Sequence, residues 1–102
     1  MPVIGEDINK VIDHLIKEGD LDTKLRKILD KEIRRRIAEY LLIDKGFQKK
    51  YGMTLEEFEK KEVIKEKGYS FEVESDYHDW DAALDAMKTL RKDMEDLCQR
   101  YQ

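Results

Sequence analysis

The stretch that decides the fold reads Tyr51-Gly-Met-Thr-Leu-Glu-Glu-Phe-Glu59, then a charged run to Gly68, then Tyr69-Ser-Phe-Glu-Val-Glu-Ser-Asp-Tyr-His-Asp-Trp80. Gly52 is a natural helix stop, because glycine adopts the left-handed backbone that ends helices at no steric cost. Thr54-Leu-Glu-Glu57 is a capping box: the Thr54 hydroxyl can accept from the Glu57 amide, and the Glu57 carboxylate can accept from the Thr54 amide. Met53 and Phe58 occupy the two hydrophobic-staple positions around it. The spacing predicts a helix from Thr54 to Gly68. Tyr69, Phe71 and Val73 then alternate with Ser70, Glu72 and Glu74, and this period of two predicts a short extended segment over 69–74. No second strand pattern is present to pair with it. The segment is therefore either a loop pinned by its aromatics or an edge offered to another chain. A further helix opens at Ser75 or Asp76.

Upstream of the joint, Leu25, Ile28, Leu29, Ile33, Ile37, Tyr40, Leu41, Phe47 and Tyr51 share one broad arc at about 100° per residue. They predict a long helix opened by Asp20 or Asp22. It runs to about Lys50 across Gly46, where a break is the alternative, since glycine inside a helix costs about 1 kcal/mol relative to alanine. Before it, Ile8, Val11, Ile12, Leu15 and Ile16 give a short amphipathic helix capped by Asp7 and ended by Gly19. Downstream, Trp80, Ala83, Met87, Leu90, Met94, Leu97 and Tyr101 alternate spacings of three and four, a heptad seam. That seam either packs on the chain's own long helix or holds two copies together. The fold class is all-α: about four helices in a single domain over 1–102, with a long central helix packed antiparallel on the C-terminal one.

Charged residues make up 43% of the 102 positions, far above the usual quarter. So small and so charged a chain buries only a modest core, and a partner or self-association is expected. The charge is uneven. Residues 1–50 hold 12 Lys and Arg against 10 Asp and Glu, while 51–102 hold 8 against 14. The 1–52 half is thus basic-sided and the 53–102 half acidic. A lone cysteine, Cys98, excludes an internal disulfide, and no run is long and apolar enough for a membrane span. The cytoplasm is the expected compartment.

Chemistry is sparse. Glu72, Glu74, Asp76, His78, Asp79 and Asp81 crowd carboxylates around one imidazole, but without the central glycine of a calcium loop, and a solvated acidic segment is expected rather than a metal site. His14 and His78 have no nucleophile near them in sequence, and there is no glycine-rich phosphate loop. Neither enzymatic activity nor a cofactor is expected. Lys24, Lys27, Lys31, Arg34 and Arg35 form a basic stripe on the long helix, opposite its apolar arc. The stripe is either a solvated face or a contact for a nucleic-acid backbone or an acidic surface. Arg36 points into the apolar arc. It either pairs with Glu32 four residues earlier or reaches a carboxylate of the 72–85 segment. The acidic stretch and its aromatics supply the candidate partner-binding residues Tyr69, Phe71, Glu72, Glu74, Asp76, Tyr77 and Trp80. Charge would set the approach of a basic partner and aromatics would hold it.

The run Lys50-Tyr51-Gly52-Met53-Thr54-Leu55-Glu56-Glu57-Phe58-Glu59, Gly68, and then Glu72, Glu74, Asp76-Tyr77 and Trp80 resembles small archaeal and bacterial antitoxin components of toxin–antitoxin pairs. The resemblance covers roughly residues 35–90. It implies a non-enzymatic protein that binds and blocks a toxin, often a ribonuclease. The first forty residues do not resemble the DNA-binding fold that many antitoxins carry. The expected function is a protein-binding module that neutralises a partner, such as a basic toxin, by occlusion. The alternatives are a structural helical homo-oligomer or a nucleic-acid-binding protein using the basic stripe.

Overall fold

The computed structural model describes residues 5–99, which form five helices and no strand: α1 (Glu6–Leu15), α2 (Leu21–Tyr51), α3 (Leu55–Lys60), α4 (Val63–Glu66) and α5 (Phe71–Gln99). The chain is all-α. Helix α1 starts at Glu6, one residue before the predicted cap, so Asp7 lies in the first turn, where its charge favours the helix dipole. Helix α2 opens where expected. The Asp20 carboxylate accepts from the Thr23 amide at 2.8 Å. Gly52 closes this 31-residue helix in the left-handed conformation, φ 68°, its N–H bonded to Gln48 O.

Gly46 does not break α2. It is exposed, and a β-carbon placed on it meets nothing within 4 Å. Gly46→Ala is therefore expected to stabilise the fold by about 0.5–1 kcal/mol. Thermal unfolding should rise by roughly 2–8 °C; a fall would mean that the helix needs a hinge there.

The capping box at Thr54 forms as read, with both reciprocal bonds at 3.2 Å. The helix it starts is shorter than the predicted Thr54–Gly68 span. Glu62, at φ 49°, turns the chain and divides the span into α3 and α4. The reason is angular. Val63 lies five residues after Phe58, about 140° around a continuous helix, yet both are buried in one cluster. The turn brings both onto the core side.

The extended segment over 69–74 does not form. Ser70 starts α5 instead: its hydroxyl accepts from the Val73 amide at 3.3 Å and its carbonyl from the Glu74 amide at 3.0 Å. Tyr69, Phe71 and Val73 consequently part company. Val73 turns into the core, while Tyr69 and Phe71 stay in solvent. With Val73 included, the α5 seam begins one heptad before Trp80.

Helices α2 and α5 pack antiparallel along their lengths, with Arg26 near Leu97, Asp44 near Trp80 and Lys50 near Asp76. The C-terminal seam thus docks on the chain's own long helix; Tyr101 lies outside the described residues. The fully buried cluster of Leu55, Phe58, Val63, Val73 and Trp80 sits at one end, where α3 and α4 wrap the hairpin. No residue of α2 is fully buried. The molecule is a rod of 57 × 30 × 25 Å with a radius of gyration of 19.5 Å, against about 13 Å for a compact domain of this length.

Candidate protein-binding surface

The closed end of the hairpin collects most of the aromatics. Trp80 is the hub. Phe47 and Tyr51 stack on it at 5.5 and 6.0 Å between centroids, and Phe58 meets it edge-on at 5.5 Å. Tyr77 stacks on Phe58 at 5.9 Å and donates its hydroxyl hydrogen to Glu59 at 3.1 Å. The Trp80 indole N–H donates to Asp44 at 2.8 Å. Trp80 is completely enclosed, so it is a core residue and cannot serve as a partner-binding anchor. The sequence pattern could not separate these roles, because an aromatic at a heptad position suits both.

Asp76 is also turned inward. Its Oδ2 accepts from Lys50 Nζ at 2.6 Å and from the Tyr51 hydroxyl at 2.5 Å, and Lys50 also reaches Glu72 at 2.9 Å. This is the clamp between the halves that Arg36 was one candidate to supply. Arg36 instead pairs with Glu32 at 2.8 Å. Lys50 was missed, although a signal was present. It stands two residues before Gly52, and Glu72 stands four after Gly68. An antiparallel hairpin must bring those positions together. Burial pushes the Tyr51 phenol up, and its bond to Asp76 adds to this, to about 12.

What remains on the surface is a corner. Phe71 is 87% exposed, Tyr69 is 60% exposed, and Glu72 beside them is also exposed. Tyr69 follows Gly68, and both adopt the left-handed backbone, at φ 56° and 68°. For a bulky side chain that conformation is strained, by roughly 1–2 kcal/mol. It is held by the Tyr69 amide donating to Ile64 O at 2.8 Å. Beyond the corner, Asp79, Asp81 and Asp85 are exposed along α5, while Glu74 is half-buried. These acids spread around the helix. Among the described residues no three His, Cys, Asp or Glu side chains converge as metal ligands would.

The basic stripe is largely paired with carboxylates of its own element or of α1. Lys24 meets Asp13, Arg34 meets Asp30 at 3.0 Å, and Arg35 meets both Glu32 and Glu39. The hydrogen bonds of Arg35, then Arg36, hold the Glu32 carboxyl down at about 2. Lys27 and Lys31 rim an open groove whose floor includes Leu15, Ile16 and Leu97. No helix among the described residues is long and apolar enough to cross a membrane. No family model, no curated protein and no solved structure matches the chain.

Proposed function

We propose that this chain is a non-enzymatic protein-binding module that neutralises a basic-surfaced partner by occluding it, as the likeness to antitoxins implies. The exposed Tyr69–Phe71 corner, with Glu72 and the acidic outer side of α5, makes the contact. The observation that carries this reading is the placement of two large aromatics, Tyr69 and Phe71, in solvent at one corner beside an exposed acid. The left-handed Tyr69 backbone, closed by its bond to Ile64 O, turns the side chain outward, where it adds little to burial. The acids of α5 steer a basic surface, so association slows as salt rises.

The test compares wild type with the double variant Tyr69→Ser, Phe71→Ser. Both residues are exposed, so the variant keeps the wild-type circular dichroism and melting profile. Interface anchors are worth about 2 kcal/mol each. A basic protein recovered on the wild-type chain from its native extract should therefore bind the variant roughly a thousandfold more weakly, at 1.4 kcal/mol per tenfold. Equal affinity for both chains would place the contact elsewhere.

A further inference from the structure

Helix α2 leaves one flank open along its length, from Leu25 to Ile43. The accessible surface is 8090 Å², whereas a compact monomer of 12.2 kDa exposes about 6,000 Å². The excess of roughly 2,000 Å² is more than the ~800 Å² that each partner contributes to a standard interface. Helix α2 packs on α5, yet none of its residues is fully buried. Leu25, Leu29, Ile33 and Leu97 line an open groove between the two helices. Leu29 is 49% exposed and Ile43 40%.

The stripe that leaves this groove is self-complementary. Leu25, Glu32, Arg36 and Ile43 are spaced seven, four and seven residues apart, and at 100° per residue all four fall within about 40° of arc. The spacing reads the same in both directions about a midpoint between Glu32 and Arg36. We propose that α2 packs antiparallel on α2 of a second copy about that midpoint, so that two hairpins close into a four-helix dimer. Leu25 then meets Ile43 of the other copy at both ends of the contact. Leu29 lies against the stem of Glu39, whose carboxylate Arg35 draws aside. In the middle, each Glu32 lies between its own Arg36 and that of the second copy, a ring of four charges alternating in sign. A parallel arrangement would set Glu32 on Glu32 and Arg36 on Arg36, so the polar layer fixes the orientation, as polar core positions do in coiled coils. This contact includes no residue of the Tyr69–Phe71 corner and does not depend on its role.

Sedimentation equilibrium of the full chain should give a dimer. Ile43→Glu should weaken it by about a hundredfold or more, the loss expected when a charge is placed in both of the paired apolar contacts, with the helical circular dichroism unchanged. Orientation is read by cross-linking in a Cys98→Ser background. The pair Leu25→Cys, Ile43→Cys should give a disulfide-linked dimer under mild oxidation, while either cysteine alone should not. A monomer at every concentration up to the solubility limit would overturn the proposal. So would a dimer indifferent to Ile43→Glu, or efficient cross-linking by Leu25→Cys alone.

Discussion

Trp80→Ala unfolds the domain. The indole is completely enclosed and touches three other rings, Phe47, Tyr51 and Phe58. Truncating a buried aromatic to alanine costs about 3–5 kcal/mol. Lost aromatic pairings add roughly 0.5–1.5 kcal/mol for each pair. A domain of this size holds about 5–15 kcal/mol in all. This one sits toward the low end, because most of its fully buried residues lie in a single cluster at one end of a rod. Loss of the hub therefore removes most of the stability. The far-ultraviolet circular dichroism should fall, and the cooperative thermal transition should disappear. Trp80→Phe is the informative control. It keeps a ring against Phe47 and Tyr51 and loses only the indole N–H to Asp44, which still accepts from Gln48 at 2.9 Å. That variant should stay folded at a cost of about 1–2 kcal/mol. A Trp80→Ala chain melting with the wild type would return Trp80 to the contact surface.

That contrast marks how far the amino-acid sequence could be read. Periodicity and punctuation carried the helices. Asp20, Gly52 and Thr54-x-x-Glu57 each work through a local backbone bond, and local bonds are legible from spacing. The antiparallel α2–α5 pair followed from two long periodic segments, each with one apolar face to bury. The segment over 69–74 forms no strand because six alternating residues are too few to distinguish one. Ser70, an N-cap followed by acids at Glu72 and Glu74, was the stronger signal, and extending the seam back from Trp80 by seven would have reached Val73. The division at Glu62 was not legible, since a left-handed turn at a glutamate is imposed by packing of Phe58 and Val63. The candidate contact was legible only as a set. Sequence could gather Tyr69, Phe71, Tyr77 and Trp80 into one neighbourhood, but tertiary packing sorted them, turning Trp80 and most of Tyr77 inward and leaving Phe71 outside.

Asp76→Ala should be the next most damaging change, and its signature is in the pH dependence. Its carboxylate is the shared acceptor for Lys50 and the Tyr51 hydroxyl. Lys50 retains Glu72, but the half-buried Tyr51 hydroxyl is left without its acceptor, at a cost of about 1–3 kcal/mol. Asp76→Asn, which can still accept from Tyr51, should lose less. Burial raises the Asp76 carboxyl, yet the hydrogen bonds from Lys50 and Tyr51 outweigh it and hold the group below its ordinary 3.8. A folded value below the unfolded one means that the stabilisation is present above pH 3.8 and is lost as pH falls through the folded value. Tyr51 runs the other way. Its folded value, raised to about 12 by burial and by Asp76, means stabilisation present below pH 10 and lost as pH rises from 10 to 12. Lys50 is raised as well, chiefly by its bonds to Asp76 and Glu72, and steepens the same alkaline limb. Melting temperature against pH should therefore form a plateau that falls on both sides. Asp76→Ala should lower the plateau, soften the alkaline fall and reduce the acid fall. The acid limb persists in part, because Glu32, Glu57 and Asp20 are also held low by their own hydrogen bonds. If the variant instead lowers the melting temperature equally at every pH, Asp76 acts through packing alone and the charged clamp between the halves contributes nothing.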